Sequence, residues 1–177
     1  MSIQSTKFKG SPVSLLDPLP EINEEAYDFT FVKTDLSEGS LFDFEDKVKV
    51  VIGVPSLDTG VCQRETRTFN EKLGKQDGVV GIVISKDLPF AMKRFCETEG
   101  IENIISASDY RYGDFTREFG TEMITGPLKG LSARTVFIID KENKIKYVEI
   151  TNDITEEPDY DKVLSALAEI KYKRKPA

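Results

Sequence analysis

The chain contains no histidine among its 177 residues. That absence removes the imidazole base, so Ser-His-Asp and Cys-His catalysis are both excluded. Metal sites built on histidine go with it. There are only two cysteines, Cys62 and Cys96, and two thiolates alone cannot complete a zinc site of the usual four-ligand kind. No apolar run approaches the roughly 18 residues needed to span a bilayer. The first ten residues scatter lysines and hold no apolar stretch. They do not read as a secretory signal, and the cytoplasm is the expected location. Positive charge is in deficit: 24 Lys and Arg stand against 31 Asp and Glu, a net charge of -7. Such a chain is repelled by phosphate backbones, so neither nucleic acid nor a membrane is an expected partner. The one basic cluster, Lys171, Lys173, Arg174 and Lys175, reads as a solvated helix end, where cations suit the helix dipole.

What is present is a globular composition, 39% hydrophobic and 31% charged, unlike that of a disordered chain. The length fits one domain over 1–177, large enough to bury a core without staples or metals. No internal repeat or low-complexity segment interrupts it. Residues 1–20 carry Gly10, Ser11 and Pro12 between short extended segments and predict a β-hairpin ahead of the main fold. Residues 29–33 can form a strand, and 41–44 a turn or edge segment. Val48, Val50, Val51, Ile52 and Val54 form a β-branched run ended by Pro55, the pattern of a buried strand. From Val61 a helix is expected, closed by Gly74. A second buried strand is expected over 78–85, and a helix over 89–99 with Pro89 in its first turn and Gly100 at its end. A third strand is expected over 101–106 and a helical turn over 114–119. Residues 135–140 and 144–150 flank a polar turn and read as a hairpin. An amphipathic helix over 159–170 closes the chain, with Val163, Leu164, Leu167 and Ile170 on one face. The class is α/β. A βαβ half followed by ββα is the thioredoxin-like arrangement, with a central mixed sheet flanked by helices and the N-terminal hairpin as an extension.

The sharpest feature is Pro55-Ser56-Leu57-Asp58-Thr59-Gly60-Val61-Cys62. A buried strand ends at Pro55, a loop follows, and the cysteine opens a helix. Helix N-termini carry unsatisfied N–H groups and a partial positive charge, and both favour thiolate over thiol. Thr59 can place its hydroxyl beside the sulfur. From these residues alone, Cys62 reads first as a small buried hydrophobe with Thr59 as a helix cap. Likewise Arg134, just before an apolar strand, can be a surface ion pair, and Phe95-Cys96 a packing pair on a helix.

Pro-x-x-x-Thr-x-x-Cys, at Pro55, Thr59 and Cys62, resembles the active-site motif of peroxiredoxins. Further segments resemble one subfamily, the thiol peroxidases or atypical two-cysteine peroxiredoxins. They are the run 56–62, Asp87-Leu88-Pro89-Phe90-Ala91, Arg94-Phe95-Cys96, Gly126-Pro127-Leu128-Lys129-Gly130-Leu131, Ala133-Arg134 and Glu157-Pro158-Asp159-Tyr160. With Phe8-Lys9-Gly10-Ser11-Pro12-Val13, the likeness covers nearly the whole chain. It implies reduction of hydrogen peroxide and alkyl hydroperoxides, with a preference for the latter. Cys62 becomes the peroxidatic cysteine and Cys96 the resolving one. They pass through a Cys62 sulfenic acid to an intramolecular Cys62–Cys96 disulfide. Arg134 and Thr59 stand beside the sulfur and the peroxide, with Pro55 in the substrate pocket. It also implies thioredoxin as reductant, a homodimer, no cofactor and no metal. A disulfide brings its Cα atoms within about 7 Å, so one or both helices are expected to unwind during the cycle. Two other readings compete. A thioredoxin-type disulfide exchange protein lacks its expected Cys-x-x-Cys, because Gln63, Arg64 and Glu65 follow Cys62. A non-catalytic thioredoxin-fold binding protein would keep both cysteines as packing residues.

Overall fold

The computed structural model describes residues 5–172. Strands β1 (Ser5–Phe8) and β2 (Ser11–Ser14) pair antiparallel as a separate two-stranded sheet, the expected N-terminal hairpin. The main sheet has seven strands: β3 (Thr30–Val32), β4 (Glu38–Ser40), β5 (Val48–Gly53), β6 (Val79–Ser85), β7 (Ile105–Ser108), β8 (Thr135–Ile139) and β9 (Ile145–Ile150). Their order across the sheet is β4-β3-β7-β6-β5-β8-β9. β5, β6 and β7 run parallel, while β8, β9, β3 and β4 are antiparallel to their neighbours. This is the mixed sheet of a thioredoxin-like fold. Helices α1 (Gly60–Leu73), α2 (Pro89–Glu99), α3 (Asp114–Glu118) and α4 (Tyr160–Tyr172) cover it.

The β-branched run of β5 is buried on both faces, and its side chains alternate between two cores as a period of two demands. Val48, Val50 and Ile52 join Phe69 and Leu73 of α1, Met92 of α2, and Val163 and Leu167 of α4. Val51 points the other way, into a cluster with Phe29, Phe31, Phe115, Phe119 and Phe137. There the rings meet edge to face, Phe29 on Phe119 at 5.4 Å and Phe119 on Phe137 at 5.0 Å. Truncating any one of these buried rings to alanine costs about 3–5 kcal/mol. β8 repeats the alternation, with Val136 and Ile138 on the α1 side and Phe137 and Ile139 opposite.

Three details depart from the pattern expected of the sequence. Ile101 to Ile104 do not extend the third strand, which starts only at Ile105. Their amides are already engaged: Ile101 N–H donates to the Cys96 carbonyl, and those of Glu102 and Asn103 donate to Asn70 Oδ1. Gly100, in the left-handed conformation at φ 67°, turns the chain out of α2. The short polar strand β4 carries no apolar alternation to betray it, and residues 41–44 form a single 3-10 turn. Finally, α4 starts one residue later than expected, because Asp159 caps it, its Oδ1 accepting from Lys162 N–H at 3.1 Å. Of the basic tail, Lys171 donates to Gln76 Oε1 at 2.7 Å, and Lys173, Arg174 and Lys175 lie outside the described residues. Among the described residues no helix is long and apolar enough to cross a membrane.

The N-terminal hairpin is docked on the loop after β9. Thr6 donates to the Thr151 carbonyl at 2.8 Å, and Ile154 N–H donates to the Lys7 carbonyl at 2.8 Å. That loop in turn holds one end of the site.

Candidate active site

β5 delivers the chain to the site. Val54 N–H still bonds the Ile84 carbonyl at 3.0 Å, but Pro55 has no N–H, so the chain leaves the sheet there. A four-residue loop then turns into α1. Thr59 takes the N-cap position with extended backbone (φ -115°, ψ 148°), yet its side chain does not cap the helix. Its hydroxyl donates to the Ser56 carbonyl at 3.1 Å and remains exposed. Cys62, in the first turn of α1, is fully buried, so its sulfur lies where the unpaired N–H groups and positive end of the helix dipole act.

Arg134 meets it from the far side of the core. It immediately precedes β8, and only 2% of its surface is exposed. Its Nε donates to the Ile154 carbonyl at 2.9 Å, which fixes the plane of the guanidinium. Its Nη1 donates to Cys62 Sγ at 3.1 Å and to Glu65 Oε2 at 2.6 Å. Burial by itself would lower the Arg134 pKa, but Glu65 and then Cys62 outweigh it and hold the guanidinium charged. A cation that cannot lose its proton, fixed against a sulfur, stabilises negative charge on that sulfur and on an oxygen brought to it.

Glu65 was not among the expected site residues. It lies three positions after Cys62, on the stripe that also buries Thr66, Phe69 and Leu73. Its side chain is wholly buried and Oε1 meets no donor among the described residues. Burial pushes its carboxyl up to about 7, against the pull of Arg134. The signal was visible: a glutamate on the apolar face of an amphipathic helix needs a buried cation.

Of the expected residues, the fold thus joins Cys62 and Arg134 directly. Thr59 sits one turn upstream at the helix mouth, and Pro55 is buried where the loop begins. Cys96 is on the last full turn of α2, half-buried, with Sγ 3.0 Å from Ser106 Oγ of β7. Burial raises its thiol pKa, and the Ser106 hydrogen bond only partly opposes that. Both cysteines are free thiols, so the structure presents the reduced form. A cavity of about 160 Å³, lined by Leu57, Asp58, Gln63, Arg94 and Phe95 among others, lies between the α1 mouth and α2. Among the described residues no group of three or more Cys, Asp or Glu is placed to hold a metal.

In sequence and fold the chain is similar to known proteins. A family model described as Redoxin matches residues 21–164. A thiol peroxidase of Leptospira interrogans serogroup Icterohaemorrhagiae serovar copenhageni is 51% identical over 161 residues, covering 90% of this chain and 94% of that one. A thiol peroxidase of Aquifex aeolicus is 46% identical over 167 residues, covering 94% and 98%. The crystal structure of a peroxiredoxin-like protein from Aquifex aeolicus superposes with a TM-score of 0.92 at 45% identity, over 96% of this chain and 98% of that chain. The chain belongs to the redoxin family, and within it to the thiol peroxidases.

Proposed function

We propose that the protein reduces hydroperoxides with Cys62 and regenerates it through Cys96. The observation that carries this reading is the 3.1 Å contact from Arg134 Nη1 to a fully buried Cys62 Sγ at a helix N-terminus. The Cys62 thiolate attacks the terminal oxygen of ROOH. The O–O bond breaks, RO⁻ leaves as the alcohol after taking a proton, and sulfur, oxidised by two electrons, becomes a sulfenic acid. Arg134 and Thr59 face the oxygens whose charge changes in that step. The Cys96 thiolate then attacks the sulfenic sulfur, hydroxide departs as water, and a Cys62–Cys96 disulfide forms. An external dithiol, thioredoxin by chemical type, returns two electrons by exchange. Alkyl hydroperoxides are the preferred substrates, a reading that rests on the likeness to the thiol peroxidases.

Disulfide formation requires movement, because Cys62 begins α1 and Cys96 is near the end of α2. The last turn of α2 is the segment suited to it. It ends at a left-handed Gly100, and the Cys96 carbonyl takes both the Gly100 and Ile101 N–H groups. We further infer one domain over 1–177, a cytoplasmic location, a homodimer and no cofactor. The test is titration of free thiols before and after one equivalent of an organic hydroperoxide. The expected result is loss of both thiols with the chain still monomeric on a non-reducing gel. A Cys62–Cys62 bond between subunits as the main product would replace this mechanism with a one-cysteine cycle.

A further inference from the structure

We propose that Asp87 is a positioning residue for the peroxide step, acting through Ser56 and Leu57 on the Thr59 hydroxyl. This rests on the assignment of Cys62 as the thiol that meets peroxide.

The loop that carries Thr59 has little to hold it once the chain leaves β5 at Pro55. Asp87 supplies the hold. Its Oδ1 accepts from the Ser56 hydroxyl at 2.8 Å, and its Oδ2 accepts from Leu57 N–H at 2.7 Å. The same Oδ2 takes the Ser85 hydroxyl at 2.6 Å. Ser56 relays the constraint. Its hydroxyl oxygen accepts Asp58 N–H at 3.1 Å, and its carbonyl accepts the Thr59 hydroxyl at 3.1 Å. Thr59 therefore has its proton committed backward to Ser56, which leaves its oxygen lone pairs to face an incoming O–H.

Asp87 is itself anchored on the sheet. Its N–H donates to Ser85 Oγ at 3.2 Å, and its carbonyl accepts the Ser108 hydroxyl. Ser85 ends β6 and Ser108 ends β7, so the loop's geometry is read from two central strands rather than from its own backbone. All three donors to the carboxylate are neutral. A carboxylate has the acceptor capacity for all three. Its charge is thus used for shape, and the chemistry it shapes lies on Thr59.

A positioning role differs from simple support in what it spares. Peroxide reduction needs the peroxide aligned between Thr59, Arg134 and the sulfur. Alkylation by iodoacetamide needs only the sulfur. The experiment measures both second-order rates by single turnover, in the Cys96→Ser background so that only Cys62 reports. Asp87→Ala should slow tert-butyl hydroperoxide by about 10-fold or more, since small misplacements of reacting groups are costly. Iodoacetamide should change by less than about threefold, because the Arg134 contact and the helix terminus are untouched. Asp87→Asn should recover most of the loss, its amide oxygen taking Leu57 N–H and its NH₂ facing Ser56 Oγ. Ser56→Ala removes the hydroxyl that links Asp87 to Asp58 N–H and leaves Leu57 and the sheet anchor in place. It should show the same selective loss, which keeps the test decisive if Asp87→Ala fails to fold. Equal slowing of both reagents, faster alkylation through an opened site, or an asparagine variant no better than alanine would each overturn the proposal. Wild-type rates in Asp87→Ala overturn Asp87 alone, whereas a Cys62 that never reacts with peroxide overturns the underlying assignment as well.

Discussion

Replacing Glu65 by glutamine tests the charge balance inside the site. Arg134 is one cation in contact with two groups able to be anions, the Glu65 carboxyl at 2.6 Å and the Cys62 sulfur at 3.1 Å. It can neutralise only one of them, and a second uncompensated charge in a buried site is heavily penalised. Glu65 is the group whose proton affinity the site visibly changes. Burial moves its carboxyl from 4.5 to about 7, Arg134 opposes the rise, and the more distant Glu149 and Glu157 add to it. Between those two values the folded chain holds a proton that the unfolded chain has released. The stabilisation is therefore complete below 4.5 and is lost as the pH rises through about 7. At about 1.4 kcal/mol per pH unit, that loss is about 3 kcal/mol. Glutamine cannot titrate, yet its carbonyl still accepts from Arg134 Nη1. Urea unfolding of both proteins at about pH 5 and about pH 8, in a Cys62→Ser background that removes the sulfur's competition for Arg134, isolates the effect. The stability difference between Glu65→Gln and its parent in that background should shift by about 3 kcal/mol in favour of glutamine between the two conditions. A difference that stays constant across that interval refutes the reasoning, and would mean that Glu65 is ionised throughout and paired with Arg134.

Arg134→Met keeps the bulk of the side chain and removes the donor to Cys62. Losing one preorganised donor of this kind commonly costs about 100-fold, and a peroxide-step rate within about twofold of wild type would remove Arg134 from the chemistry. Cys62→Ser should abolish turnover with the fold intact, checked by circular dichroism alongside a coupled peroxidase assay. Cys96→Ser should consume one equivalent of peroxide, then stall and overoxidise towards sulfinic acid in excess peroxide, as mass spectrometry would show. Burial raises the Cys96 thiol above its ordinary 9.0 in the reduced fold. Unwinding of the last turn of α2 removes that burial, so disulfide formation after a peroxide pulse should rise with pH and level off near the ordinary thiol value. A rate still accelerating well above pH 9 would mean that Cys96 reacts from its half-buried place, without release of the last turn of α2.

The legible part of this molecule is the part encoded by neighbours in sequence. Val48 to Val54 announces a strand buried on both faces because five β-branched residues in seven leave no solvent face. Pro89 and Gly100 bracket α2 for reasons internal to the helix. The placement of β7 was not legible, since it depends on Asn70, across a strand and a helix, claiming the Glu102 and Asn103 amides. The site divides the same way. Cys62 and Arg134 are named by the motif segments, but their separation of 72 positions conceals that one guanidinium nitrogen serves both sulfur and Glu65. Glu65 could have been found from the helix alone, since it interrupts an apolar stripe one turn from the cysteine. Asp87 could not. Its segment marks the subfamily, yet nothing local says that its carboxylate reaches back 30 residues to Leu57. The residues proposed to carry the reaction are thus recognisable from the segments that mark the family. The residues that hold them to useful geometry are recognisable only once the strands have brought β6, β7 and the Pro55 loop to one end of the sheet.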